Sequence, residues 1–201
     1  MIRVSAILLL CLVSAACTGI RTAGPPDWEE RRARLVATDA WQLRGRIAFK
    51  SGADGGQASL SWKQTGEESR IRLAGPFGAG AYDLLWTPTL VSVADAGGEH
   101  ALEYTGAGAA ERFLREQLGW SFPAGSVRYW ILGLLDPAAP GDALFSDAGM
   151  LTTIRQHGWD IGIDRYVDVD GVQLPARLNM TAGEASLRIA INEWKLDTIA
   201  R

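Results

Sequence analysis

Few side chains in this sequence are of a type and spacing that could carry out chemistry. Its 201 residues include two cysteines, Cys11 and Cys17, and two histidines, His100 and His157. Neither histidine belongs to a group of His, Asp or Glu residues at metal-ligand spacing, and no Gly-x-Ser-x-Gly motif marks a nucleophilic serine. We therefore expect no catalytic residue, no metal and no cofactor, which leaves the chemistry of a single thiol.

The N-terminal residues are typical of a secretory leader that ends at a cysteine. Arg3 precedes the apolar run 4–13, and Ser14-Ala15-Ala16 then precede Cys17. The run is shorter than the roughly 20 apolar residues of a membrane-spanning helix. A cysteine after two alanines is typical of a bacterial lipobox, although that motif prefers leucine where Ser14 stands. We predict a signal peptide over residues 1–16 and lipidation of Cys17; the alternative is an ordinary leader with an incidental cysteine.

The thiol count agrees with lipidation. Cys11 lies in the predicted leader, so a secreted product would carry one free thiol, which a thioether to diacylglycerol removes. Residues 17–26 then form a lipidated tether. Thr18 follows the cysteine where an Asp commonly marks retention in the inner membrane. By that analogy we expect an outer-membrane anchor that faces the periplasm.

Composition indicates a single globular domain over residues 27–201. Hydrophobic residues make up 47% of the chain and charged residues 21%, which suits a folded core. The formal charge of −3 shows no bias towards nucleic acid. We expect a monomer that binds no nucleic acid.

Hydropathy alternates with a period of two over most of this domain. A helix is predicted over Asp27–Ala37, followed by about six strands, with Asp54-Gly55-Gly56 as a turn. Two helices are predicted over Ala109–Leu118 and Ser126–Leu132, with a loop over Asp136–Gly141. About four further strands follow, among them Trp159–Ile163, Leu174–Met180 and Leu187–Ile191. Trp194 and Leu196 are displaced by one position, which indicates a β-bulge.

This pattern predicts a mainly β (α+β) fold. A single antiparallel sheet of this length must curve, and the helices then lie against its concave face. Asp170-Gly171 is predicted to be a hairpin turn and not part of a calcium loop, because Arg177 stands where a calcium loop needs glutamate. Periodicity leaves two alternatives open for the apolar face: a solid core, or a pocket for lipid.

Seven short motifs, in order, resemble the LolB family of outer-membrane lipoprotein receptors. The resemblance runs from Cys17 to about Trp194, and its departures are Ser14 and the phenylalanine at position 77, where many members carry leucine. The motifs are the lipobox, Trp41–Phe49, Ser61–Gln64, Leu73–Gly78, Gln117–Gly119, Val127–Gly133 and Gln156–Trp159.

The resemblance implies an incomplete β-barrel with a helical lid over an apolar cavity. It also implies transfer of lipoproteins from the periplasmic carrier LolA into the outer membrane, without nucleotide or metal. From the phase of the strands and helices, the acyl-chain cavity is assigned to strand residues and lid residues. The strand residues are Ile47, Phe49, Leu60, Trp62, Leu73 and Trp159, and the lid residues are Phe113, Leu114, Trp130 and Ile131.

Phe77 stands at the tip of a predicted turn. Gly75-Pro76-Phe77-Gly78 fits a type I turn, in which proline suits the second position and glycine the fourth. The resemblance associates an apolar residue at this tip with delivery of cargo into the bilayer. We therefore predict a membrane-insertion loop formed by Phe77 with Pro76 and Gly78.

Two other functions remain to be weighed against a lipid carrier. The first is a structural outer-membrane lipoprotein or assembly factor with a filled core and no acyl-chain binding. The second is a periplasmic hydrolase, which would need convergent titratable residues that the sequence does not supply.

Overall fold

The computed structural model describes residues 24–25, 28–75, 80–95, 97–98, 101–119 and 122–196. Cys17 and the predicted insertion loop Pro76–Gly78 lie outside these residues. Within them, no helix is both long and apolar enough to cross a bilayer. The elements are α1 (Trp28–Val36), β1 (Ala40–Ser51), β2 (Asp54–Thr65), β3 (Glu68–Ala74), β4 (Ala81–Thr87), β5 (Leu90–Asp95), β6 (Ala101–Thr105), α2 (Ala109–Leu118), α3 (Ala124–Ile131), β7 (Gly141–Phe145), β8 (Leu151–Gln156), β9 (Trp159–Val169), β10 (Val172–Ala182) and β11 (Ala185–Leu196).

All these strands form one antiparallel sheet, in the order β6-β5-β4-β3-β2-β1-β11-β10-β9-β8-β7. Strands β1 to β6 form a first meander and strands β7 to β11 form a second. The two meanders are joined in the middle of the sheet, where β1 pairs with β11. Strands β6 and β7 form the two edges, so the curved sheet does not close, and the predicted fold class is confirmed. Five strands follow the helices where about four were predicted. The short β7 begins at Gly141, where a loop was expected, because pairing with β8 outweighs weak local alternation.

The predicted bulge lies on β11 opposite Gly45. Arg44 pairs with Glu193 but Gly45 pairs with Ile191, so Asn192 is the extra residue. A Cβ atom at position 45 would lie 2.1 Å from the carbonyl oxygen of Ala190. Only glycine fits this close approach, and the bulge returns Trp194 to the buried face of the sheet.

The turn predicted at Asp54-Gly55-Gly56 was wrong. Ser51 pairs with Asp54, so the β1–β2 turn is Gly52-Ala53, and Gly52 has a φ of 57°. Gly56 instead pairs with Phe49, and a Cβ atom there would lie 2.8 Å from Phe49 Cε1. The glycine that looked like a turn residue makes room for an aromatic ring on the neighbouring strand.

Helix α1 packs against the second meander. The rings of Trp28 and Phe145 meet edge to face with centroids 5.0 Å apart. The guanidinium carbon of Arg31 lies 5.2 Å from the ring centroid of Tyr166. The Tyr166 hydroxyl donates a hydrogen bond of 2.7 Å to the Leu151 carbonyl oxygen. Burial raises the pKa of Tyr166 to about 12, although the nearby Arg31 charge opposes the shift.

The close approach at Gly45 predicts that Gly45→Ala destabilises the protein by about 1–3 kcal/mol, because the added methyl group overlaps backbone on β11. Gly125→Ala is the matched control, since a Cβ atom there meets nothing within 4 Å and alanine favours the helix. The control should stabilise the protein by about 0.5–1 kcal/mol. Urea unfolding measures both changes, and a neutral Gly45→Ala would contradict the steric argument.

Candidate functional site

The helices cover one face of the sheet, which we call the inner face. Val91 and Val93 of β5 are buried in one cluster with Ala109 and Ala110 of α2. Trp130 and Ile131 of α3 belong to a larger cluster with inward residues from both meanders. Alternation along each strand places its apolar side chains on this face and its charged side chains on the opposite, outer face.

The ten residues assigned to the cavity all lie in or against these two clusters, but their burial differs. Half of them are core residues with exposed fractions of 5% or less: Leu60, Trp62, Trp130, Ile131 and Trp159. The other half remain half-buried: Ile47, Phe49, Leu73, Phe113 and Leu114. Neighbouring side chains cover the buried set, whereas the half-buried set keeps part of its surface accessible to solvent.

The half-buried wall continues into residues that the phase analysis did not assign. Ile71 pairs with Leu84, and Leu73 pairs with Tyr82. Leu102 pairs with the buried Val93, so it shares the inner face. Tyr82 is 53% exposed and Leu102 is 48% exposed, which is unusual for large apolar side chains on a covered face. We call Ile71, Leu73, Tyr82, Leu84 and Leu102 the inner strip.

Helix α2 lies beside the inner strip and is attached to the first meander. Leu114 packs against both apolar clusters. The Phe113 ring meets Tyr104 of β6 edge to face at 5.6 Å. The Tyr104 hydroxyl donates a 2.7 Å hydrogen bond to Glu116, and Arg112 Nη1 donates one of 2.7 Å to the Ala107 carbonyl. These contacts tie α2 to the sheet edge at β6.

Helix α3 is attached to the second meander through the buried Gln156 of β8. Gln156 Oε1 accepts hydrogen bonds from Trp130 Nε1 at 2.9 Å and from the Asp136 amide at 3.0 Å. Its Nε2 donates to the carbonyls of Asp136 at 2.9 Å and Ala139 at 2.8 Å. The four bonds satisfy a buried polar side chain, and they connect β8 to Trp130 of α3 and to the loop that follows that helix.

A second buried glutamine, Gln64, lies on the inner face near the C-terminal end of β2. Gln64 Oε1 accepts hydrogen bonds from Trp62 Nε1 at 3.1 Å and Ser69 Oγ at 2.6 Å, and Nε2 donates 2.7 Å to the Gly66 carbonyl. Both glutamines belong to motifs of the family resemblance, but the sequence did not reveal that their side chains are buried and hydrogen-bonded. The signal for Gln64 was present, because it stands in phase with Leu60 and Trp62 at a core position.

The described residues contain no group of three or more His, Cys, Asp or Glu side chains that could hold a metal ion. His157 is exposed in the tight β8–β9 turn, as expected of a surface residue. The site therefore offers apolar surface and ring edges, together with two satisfied amides.

Solved structures show the same kind of fold. A LolA superfamily protein from Nitrosomonas europaea aligns with a TM-score of 0.55 at 8% identity, over 85% of this chain and 92% of that one. A DUF1329 family protein from Desulfovibrio piger aligns with a TM-score of 0.53 at 8% identity, over 87% of this chain and 92% of that one. The molecule is thus a LolA-like open sheet with helices on its inner face.

Sequence comparison gives the family. The model of the family described as outer membrane lipoprotein LolB matches residues 39–194. The outer-membrane lipoprotein LolB of Halorhodospira halophila is 34% identical over 96% of this chain and 94% of its own length. The outer-membrane lipoprotein LolB of Nitrosococcus oceani is 31% identical over 96% of this chain and 98% of its own length. The chain belongs to the LolB family. It is therefore an outer-membrane lipoprotein with a role in lipoprotein sorting.

The geometry at Gln156 predicts that Gln156→Leu destabilises the protein by about 2–4 kcal/mol. Leucine leaves the Trp130 and Asp136 donors and two carbonyls without partners in an enclosed site. Gln117→Leu is the control, because Gln117 is exposed on α2 and should change stability by less than about 0.5 kcal/mol. Thermal and urea unfolding measure both, and equal stability of the two variants would show that Gln156 does not fix α3.

Proposed function

We propose that this protein accepts acylated lipoproteins from a LolA-type periplasmic carrier and inserts them into the outer membrane. The inner strip is the observation that carries the proposal: large apolar side chains stay exposed on the helix-covered face of a LolB-family chain. The acyl chains of the cargo lie along this strip and against Phe113 and Leu114. A lipid on Cys17 holds the protein at the inner leaflet, facing the periplasm.

The physical need for such a surface follows from the acyl chains themselves. Each CH₂ group is worth about 0.8 kcal/mol of burial, so a free acyl chain crosses water too slowly to be useful. Transfer between two similar apolar faces avoids that exposure. Direction comes from a difference in affinity at each step and needs no nucleotide or metal.

The proposal is tested by placing a photo-crosslinking residue at Leu73 or, as the control, at Arg72. The two are neighbours on β3 but face opposite sides of the sheet, and Arg72 pairs with Asp83 at 2.6 Å on the outer face. Cargo with radiolabelled acyl chains is delivered from its carrier. We expect an adduct at Leu73 and at least about tenfold less at Arg72, since the chains touch only the inner face.

The opposite results identify the alternatives. No adduct at either position, with the fold intact by circular dichroism, would favour a structural lipoprotein with a filled core. Titration with a fluorescent fatty acid then checks that conclusion, because a filled core gives no saturable binding and no tryptophan quenching. Equal adducts at both positions would place the cargo outside the inner face.

Phe77→Glu should leave acceptance of cargo nearly unchanged and lower insertion into vesicles by about tenfold or more. A carboxylate at the loop tip opposes entry into the hydrocarbon region, which costs roughly 2–3 kcal/mol for an acidic residue. Phe77→Leu keeps an apolar tip and is the matched control. Acceptance and insertion are measured separately with labelled cargo. Loss of acceptance alone would make Phe77 a docking residue, and no effect on either step would leave it a turn residue.

A further inference from the structure

The outer face of the central strands carries a depression with a volume of about 800 Å³. Its floor contains small side chains, Ala48 and Ala190, on the two strands where the meanders join. Ala190 pairs with Arg46 on one side and with Arg177 on the other. The small residue between two long ones opens the depression in an otherwise pleated surface.

Three arginines point into this depression from three adjacent strands: Arg46, Arg177 and Arg188. Arg46 and Arg177 stand two strand spacings apart, or about 10 Å between backbones. Arg188 lies on the strand between them, two residues and about 7 Å along from Ala190. Their backbone positions therefore form a triangle on the outer face, and all three side chains line the depression.

These charges are not compensated within the described part of the chain. No carboxylate lies within 4.0 Å of any of the three, and Arg188 Nε donates instead to the neutral Asn179 Oδ1 at 3.1 Å. Asp164 is the one acid among the described lining residues. Other outer-face arginines behave differently: Arg44, Arg70 and Arg72 pair with Glu193 at 3.8 Å, Glu68 at 2.6 Å and Asp83 at 2.6 Å.

The depression also adjoins the predicted insertion loop. Ala74 and Gly75 form part of its rim. Phe77 follows Gly75 by two residues, so its Cα lies at most about 7 Å from that of Gly75. The register places Arg46 two strands and Arg177 four strands from Ala74, or about 10 and 19 Å, so headgroups meet these guanidinium groups where the outer face lies along the bilayer that Phe77 enters.

We propose that this depression binds the phosphate of an anionic phospholipid headgroup. Guanidinium groups form bidentate hydrogen bonds with phosphate oxygens, and a concave site lined by three of them suits a protruding anionic headgroup better than the flat surface of an acidic protein. The inference rests on the proposed function. It adds a headgroup site on the outer face that fixes the orientation of the sheet at the membrane while Phe77 enters the bilayer.

The test is co-sedimentation of the mature chain carrying Cys17→Ala with vesicles of phosphatidylglycerol and phosphatidylethanolamine. The chain is exported behind a cleavable signal peptide, so that no lipid anchor contributes. The triple variant Arg46→Gln, Arg177→Gln, Arg188→Gln should bind at least about tenfold more weakly, since each basic residue near an anionic surface contributes to affinity. The triple variant Arg44→Gln, Arg70→Gln, Arg72→Gln removes the same charge from the same face and should lose less than about threefold, because these arginines lie outside the depression and are already paired with carboxylates.

Each other outcome overturns the inference. Equal losses in the two triple variants would mean that bulk charge alone attracts the chain. Unchanged vesicle binding with weakened delivery from the carrier would make the depression a protein-docking surface. Saturable binding of inorganic phosphate as tight as that of the vesicles would make it a site for free anions.

Two controls keep the outcomes separate. All six substitutions are at exposed positions, and equal unfolding midpoints of the two triple variants exclude a folding defect. The crosslinking experiment at Leu73 tests cargo binding in a chain that keeps all three arginines of the depression. If that experiment fails while the two triple variants still differ on vesicles, the headgroup site stands and the transfer function does not.

Discussion

The structure depends on one constraint: a single open sheet has a continuous apolar face, and three short helices must cover it. A two-layer sandwich would bury such a face against a second sheet. Here the cover is α1 at one end, α3 over the second meander and α2 beside the first. The two inner clusters are dense where the helices sit, as at Trp130 and Ile131, and sparse along the inner strip. The incomplete cover leaves part of the apolar face accessible, which an ordinary core does not.

Buried amides explain how so few helical residues hold their place. Apolar packing alone lets a short helix slide, because dispersion contacts have little direction. Gln156 accepts a hydrogen bond from Trp130 of α3 and makes three more with the loop that follows the helix, and Gln64 accepts one from the Trp62 indole. Specific geometry on this face therefore comes from two neutral polar side chains, with no buried ion pair at either.

Much of this fold could be predicted from the sequence, because alternation is a local property of each strand. The displacement of Trp194 even located the bulge. The prediction of a turn at Asp54 to Gly56 was wrong because glycine can serve either in a turn or in a strand where a neighbour leaves no room for a side chain. At Gly56 the neighbour is the ring of Phe49 on the paired strand, which a local sequence pattern does not show. The burial of individual wall residues could not be predicted. It depends on where the helices lie against the sheet, and the contacts that place α3 join residues far apart in sequence, such as Trp130 and Gln156, 26 positions apart.

The unpaired edges at β6 and β7 give the molecule a property that a closed barrel lacks. In a closed barrel, strand number and stagger set the diameter, so the interior has one size. Among the described residues of this sheet no ladder joins β6 to β7, so strand number and stagger do not fix the size of the interior. Helix α3 contacts both meanders, through Gln156 of β8 and through an ion pair of 3.6 Å between Arg128 and Glu67 in the β2–β3 turn. The space under the helices is therefore set by side-chain contacts and not by the strand geometry alone.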